Sequence, residues 1–115
     1  MPPRLRRLPH RSAGPFTLAL ARTPRARLLG LAGLRGVPPG TALVLGGTRS
    51  VHTCGMRFAL DLVWLGRRGE PLRVDEGVGP RRLRACRGAR AVAECRAGEG
   101  RALAATLRAG GSTLS

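Results

Sequence analysis

Lysine, isoleucine, asparagine, tyrosine and glutamine do not occur in this chain, and its aromatics are two Phe and one Trp. The codons for Lys, Ile, Asn and Tyr all begin with two A or U bases, so their joint absence reads as a G+C-rich coding sequence. Arginine therefore supplies all 21 basic charges, against six carboxylates, for a net charge of +15. Such an excess on 115 residues would by itself suggest a nucleic-acid partner. The codon bias weakens that inference, because Arg can accumulate at tolerant surface positions. The shortage of aromatics also removes the platforms on which single-stranded bases stack. No helix-turn-helix or zinc-finger spacing appears, so specific nucleic-acid recognition is not expected.

Long apolar runs are missing too. Nothing approaches the roughly 20 residues of a membrane-spanning helix. The basic opening (Arg4, Arg6, Arg7, Arg11) leads into Ala13–Ala21, which ends in an A-x-A-like pattern. Gly14 and Pro15 interrupt this stretch, and Phe16, Leu18 and Leu20 alternate with Thr17, Ala19 and Ala21, which favours a strand. A cytoplasmic location is expected, with export by a signal ending near Ala21 as the alternative. The three cysteines, Cys54, Cys86 and Cys95, lack C-x-x-C spacing, and only His10 and His52 could join them as ligands. No metal site is expected. Cys86 and Cys95 are read as reduced, buried thiols; a disulfide between them needs two facing strand ends.

Nine prolines and 17 glycines punctuate the remaining sequence into short elements, so a helical bundle is excluded. Residues 1–14 are Pro- and Arg-rich without periodicity and read as a mobile basic tail, leaving 15–111 as a single domain. A strand over 15–21 is followed by a short helix near 24–34, with Thr23 as its N-cap and Pro24 at its first position. Thr41–Leu45 is a strand. Val51–Leu65 reads as the longest ordered segment, with Met56, Phe58, Leu60, Leu62 and Trp64 on its core side and Gly55 as a candidate bulge. Gly66-Arg67-Arg68-Gly69 turns the chain into Pro71–Asp75, with Leu72 and Val74 directed inward. After a Gly- and Arg-rich loop over 77–88, Ala89–Arg96 is a further strand. A small helix then places Leu103 and Leu107 on one face. The predicted fold is mainly β: an antiparallel barrel or sandwich of about five to seven strands with one or two short flanking helices, α+β by strict count.

Three segments together resemble a known family. They are Arg25-Ala26-Arg27-Leu28-Leu29-Gly30-Leu31, the strand Val51–Leu65 with its Met56-Arg57 and Leu60-Asp61 pairs, and Arg90–Glu94 followed by Ala97-Gly98. In this order they resemble the family catalogued as domain of unknown function 192, over roughly residues 16–110. The resemblance implies a compact β-rich barrel or sandwich of the kind found in small bacterial and archaeal proteins, many of them exported. It implies no activity, since none is established for the family.

Four polar residues within the motif strands are candidates for ligand binding: His52, Arg57, Asp61 and Glu94. Arg57 and Asp61 lie four residues apart, about 13 Å along a strand, so each must find partners elsewhere. A carboxylate set among Leu60, Leu62 and Val63 must be paired if it is buried, which predicts a structural role for Asp61. Glu94 is expected to be paired in the same way, with Arg57 as a candidate partner. Cys54 and His52 point the same way on an extended strand at about 6.6 Å, too far apart for a nucleophilic dyad. P-loop, G-x-G-x-x-G, H-E-x-x-H and G-x-S-x-G motifs are all missing, so no catalytic residue is assigned and no cofactor is expected.

The function expected is that of a non-catalytic binding or accessory module for a small polar ligand or a protein partner, acting as a monomer. The alternatives are an enzyme using Asp61 and Glu94, and weak nucleic-acid association through the Arg-rich surface.

Overall fold

The computed structural model describes residues 2–23, 31, 36–53 and 56–110. Four central segments are apolar on both sides of the strand: FTLALA, TALVLG, LDLVWL and AVAECR. Strands of that kind belong in the middle of a sheet covered on both faces. They form β2 (Phe16–Ala21), β3 (Thr41–Gly46), β5 (Leu60–Leu65) and β8 (Ala91–Arg96). With β1 (His10–Ala13) and β6 (Pro71–Val78) at the edges, they make a six-stranded sheet of order β1-β2-β3-β8-β5-β6. The remaining strands, β4 (Ser50–His52) and β7 (Leu83–Ala85), pair with each other as a small second sheet.

The architecture is mainly β, as the sequence predicts, but the described strands form an open mixed sheet plus a two-stranded one and do not close into a barrel. The antiparallel expectation fails at one place, where β2 and β3 run parallel. A parallel pair needs a long crossover, and residues 22–40 supply it. The helix expected near 24–34 falls within this crossover and lies outside the described residues, apart from the buried Leu31.

Both faces of the large sheet are covered. On one, the helix α2 (Gly100–Gly110) sets Leu103, Ala104 and Leu107 against Leu18, Val44, Val63, Leu65 and Ala93. On the other, Leu43, Leu62, Trp64 and Val92 pack with Leu5, Leu31, Val37, Cys86 and Ala89. Met56 and Phe58 lean on this second cluster, so the expected parity of Met56 through Trp64 holds. The segment is nevertheless not one strand. Residues 50–52 pair with β7, residues 60–65 pair with β6 and β8, and the chain changes sheet between them.

Residues 1–14, read as a mobile tail, need a further correction. Over described residues 2–14 the chain makes a helical turn, α1 (Pro3–Arg6), and the edge strand β1. Leu5 is fully buried, and the Pro9 carbonyl accepts the Leu20 N–H at 2.8 Å. His10 Nε2 donates to the Leu5 carbonyl at 2.8 Å. One buried Leu plus strand pairing anchors a segment whose Pro and Arg content hides any periodicity. Leu72, expected inward, lies exposed on the edge strand, while Val74 packs toward α2.

Trp64 and its cross-strand neighbour Arg73 share Asp75. The Trp64 indole donates to Asp75 Oδ2 at 2.9 Å, and Arg73 grips both carboxylate oxygens at 2.9 Å. The guanidinium stands 5.7 Å from the indole centre. Burial pushes the Asp75 carboxyl up, but its bonds to Arg73 and Trp64 win and hold it below the ordinary value. Replacing Asp75 with Ala leaves the Trp64 N–H unmatched, so Asp75→Ala is expected to cost about 1–2 kcal/mol in urea denaturation. An unchanged midpoint would show that water serves the indole equally well.

Candidate functional site

β5 carries Asp61 on the α2 side of the sheet, in line with Val63 and Leu65. Opposite it the pairing with β6 slips by one residue between Leu60 and Leu62, a bulge whose Gly77 adopts φ +61°. The bulge turns the Gly77 N–H onto Asp61 Oδ1 at 2.9 Å. From the other side, the turn between β8 and α2 delivers the N–H groups of Gly98 and Gly100 to Oδ2 at 2.9 and 2.8 Å. Gly98 sits at φ +98°, a backbone conformation that side-chain-bearing residues rarely adopt. At Gly100 a Cβ would stand 2.8 Å from that of Asp61. Asp61 therefore ties the edge strand, the last turn and the positive N-terminus of α2 to one carboxylate. It is 1% exposed, and both carboxylate oxygens accept from the backbone.

Glu94 sits one residue from Cys95, Asp61's partner in the β5–β8 ladder, and so faces the other way. Its neighbours across the ladders are Leu43 and Leu62. The side chain is 4% exposed, and Oε1 has no hydrogen-bond partner among the described residues. Burial pushes its carboxyl up to about 7. The expected pairing with Arg57 is not made: Arg57 is exposed, and the ion pairs among the described residues are Arg73–Asp75 and Arg101–Glu76. His52 is exposed at the end of β4, opposite Leu83. In the chain His52 follows Val51 and Arg57 lies between Met56 and Phe58, and Val51, Met56 and Phe58 pack on the face that holds Glu94.

The four candidates thus divide three ways: Asp61 inside the α2 face, Glu94 inside the opposite face, and His52 and Arg57 exposed. Cys86 and Cys95 are free thiols in different clusters on opposite faces, which excludes a bond between them. Burial, with Asp61, Glu99 and Glu94 nearby, pushes the Cys95 thiol up to about 12, so it is inert as a nucleophile at neutral pH. Cys54 lies outside the described residues. Among the described residues no three His, Cys, Asp or Glu side chains cluster to hold a metal. None of the described helices is long and apolar enough to cross a membrane. Phe16 and Trp64 are buried and Phe58 is half-buried, so the Arg-rich surface presents no fully exposed Phe or Trp ring for base stacking.

The sequence gives no hint of a groove of about 240 Å³ at the end of the sheet, where Arg22, Arg67 and Arg90 meet apolar residues. These arginines come from a loop, a hairpin and the approach to β8, and no spacing in the chain signals that they converge.

No curated protein matches the chain. Two solved structures share its fold. A protein of unknown function from Novosphingobium aromaticivorans is 18% identical with a TM-score of 0.68, the match covering 76% of this chain and 68% of that one. A Sinorhizobium meliloti protein described as a "putative transcription regulator" is 21% identical with a TM-score of 0.66, covering 85% and 76%. At these identities the likeness is one of fold alone. A family model described as DUF192, Uncharacterized ACR, matches residues 7–110, from the end of the first helical turn to the end of α2. The chain belongs to the domain of unknown function 192 family.

Proposed function

We propose that this chain is a non-catalytic binding module for a small polar ligand, recognised by the exposed His52 and Arg57 together with Glu94. The supporting observation is the disposition of the two motif carboxylates. Asp61 has both oxygens occupied by backbone N–H groups, and Glu94 points from the opposite side of the sheet. Acid–base catalysis by a carboxylate pair needs both groups on one substrate, and this geometry gives the Asp61–Glu94 enzyme reading no support. Glu94 remains as a buried carboxyl whose Oε1 has no partner among the described residues, a feature that folds seldom keep without a use for it.

A thermal-shift screen of small polar compounds tests the proposal. A compound that binds the native state at a hundredfold excess over its Kd adds about 2.7 kcal/mol to apparent stability. The expected result is a dose-dependent rise in Tm that weakens in His52→Ala, Arg57→Ala and Glu94→Gln, with the compound recovered unchanged. Conversion of the compound to a product would overturn the non-catalytic reading. Equal shifts in the parent and all three variants would move the site elsewhere.

A further inference from the structure

We infer that the groove at the end of the large sheet is a binding site for a small organic anion with an apolar tail. The ends of β2, β3 and β5 and the start of β8 meet there, beside the β5–β6 hairpin, around a cavity of about 240 Å³. This lies below the roughly 300–1,000 Å³ of drug-sized sites, so the occupant is small. Leu20, Val44 and Leu65, members of the α2-side core, form its apolar wall, and Arg22, Arg67 and Arg90 line it as well. Among the described residues no carboxylate lines it. The nearest acid along the hairpin, Glu70, folds back beside Gly66 and accepts the Arg68 N–H at 2.8 Å. Arg67 and Arg90 have no ion-pair partner among the described residues.

That combination selects its ligand on two counts. Three exposed arginines lining one cavity favour an anion, which guanidinium groups can meet with paired, charge-assisted hydrogen bonds. Apolar walls favour a ligand that removes their surface from water. A bare inorganic anion satisfies only the first and a neutral hydrocarbon only the second; a fatty or aromatic carboxylate satisfies both. The groove shares no lining residue with His52, Arg57 and Glu94, so either proposal can fail without the other.

The probe is octanoate, titrated into the full chain and followed by 1H–15N NMR, with inorganic phosphate and octanol as comparisons. Octanoate is expected to move the amide signals of Ala21, Gly46, Gly47 and Gly66 saturably and to bind more tightly than either comparison. Arg67→Ala and Arg90→Ala, both at exposed positions, are each expected to weaken it about tenfold, since hydrogen bonds to charged groups are worth that much or more. Arg87→Ala, outside the groove, is expected to leave it unchanged. Gly46→Val keeps every charge and places its Cβ in open space on the groove side of β3, and is expected to weaken octanoate by filling the cavity. The proposal is overturned if octanoate leaves these signals still or if phosphate or octanol binds as well. Parent-like affinity in Arg67→Ala, Arg90→Ala and Gly46→Val would overturn it too.

Discussion

Asp61→Ala is expected to lose about 3–5 kcal/mol of folding stability, a large part of the 5–15 kcal/mol available to a domain of this size. The substitution removes the acceptor of the Gly77, Gly98 and Gly100 N–H groups together. Each buried donor left unmatched costs about 1–3 kcal/mol, and water entering the vacated space recovers part of the sum. The loss should appear as a Tm drop of more than about 10 °C, because each kcal/mol moves the Tm of a small domain by several degrees. Asp61→Asn separates charge and geometry from bulk. Its single carbonyl oxygen can serve the Gly98 and Gly100 donors, but its NH2 then faces the Gly77 N–H, so an intermediate loss is expected. Glu70→Ala provides the contrast: that carboxylate is exposed and accepts one turn N–H, and its removal should change Tm little. An Asp61→Ala protein melting within a few degrees of the parent would sink the structural assignment.

This prediction could be framed from the sequence because a carboxylate between Leu60 and Leu62 has few options in a core. Its partners could not be named, since Gly77, Gly98 and Gly100 are brought to it by a bulge and a turn that no local pattern encodes. The same division runs through the fold. β2, β3, β5 and β8 are legible as apolar runs between Gly and Pro punctuation. The parallel pairing of β2 with β3 is not, because it depends on the crossover rather than on either strand. Burial on both faces also erases the polar–apolar alternation: Val63 and Leu65, on the strand face opposite Leu62 and Trp64, are packed just as deeply beneath α2. Leu5 shows the opposite failure: one residue anchors α1, and a lone Leu among Pro and Arg carries no period to read. Of the four site candidates, Asp61 behaves as its surroundings predict. Glu94 does not, because the expected partner Arg57 lies on the surface.

Burial without a partner for Oε1 among the described residues makes Glu94 the source of a pH dependence. In the folded chain its carboxyl is pushed up to about 7 from 4.5 by burial, so the folded state keeps this proton where the unfolded state has lost it. Stability from Glu94 is then fully present below pH 4.5 and lost as pH rises through about 7. At about 1.4 kcal/mol per pH unit, that interval amounts to roughly 3 kcal/mol. Glu70 and Asp75, whose carboxyls are held below their ordinary values, act in the opposite sense but under more acidic conditions, outside this window. Glu94→Met removes the ionisable group at similar volume and fits the apolar surroundings of Leu43 and Leu62. Urea midpoints at pH 5, 6, 7 and 8 are expected to fall with pH in the parent and to stay nearly flat in Glu94→Met. The two proteins should be close at pH 5, and the variant should be more stable by about 2–3 kcal/mol at pH 8, because replacing a buried, unpaired charge with a packed apolar group is stabilising. A parent whose midpoint holds steady from pH 5 to 8, or a Met variant that keeps the parent's slope, would mean that a partner satisfies the Glu94 carboxylate in solution. The recognition role proposed for it would then lose its physical basis.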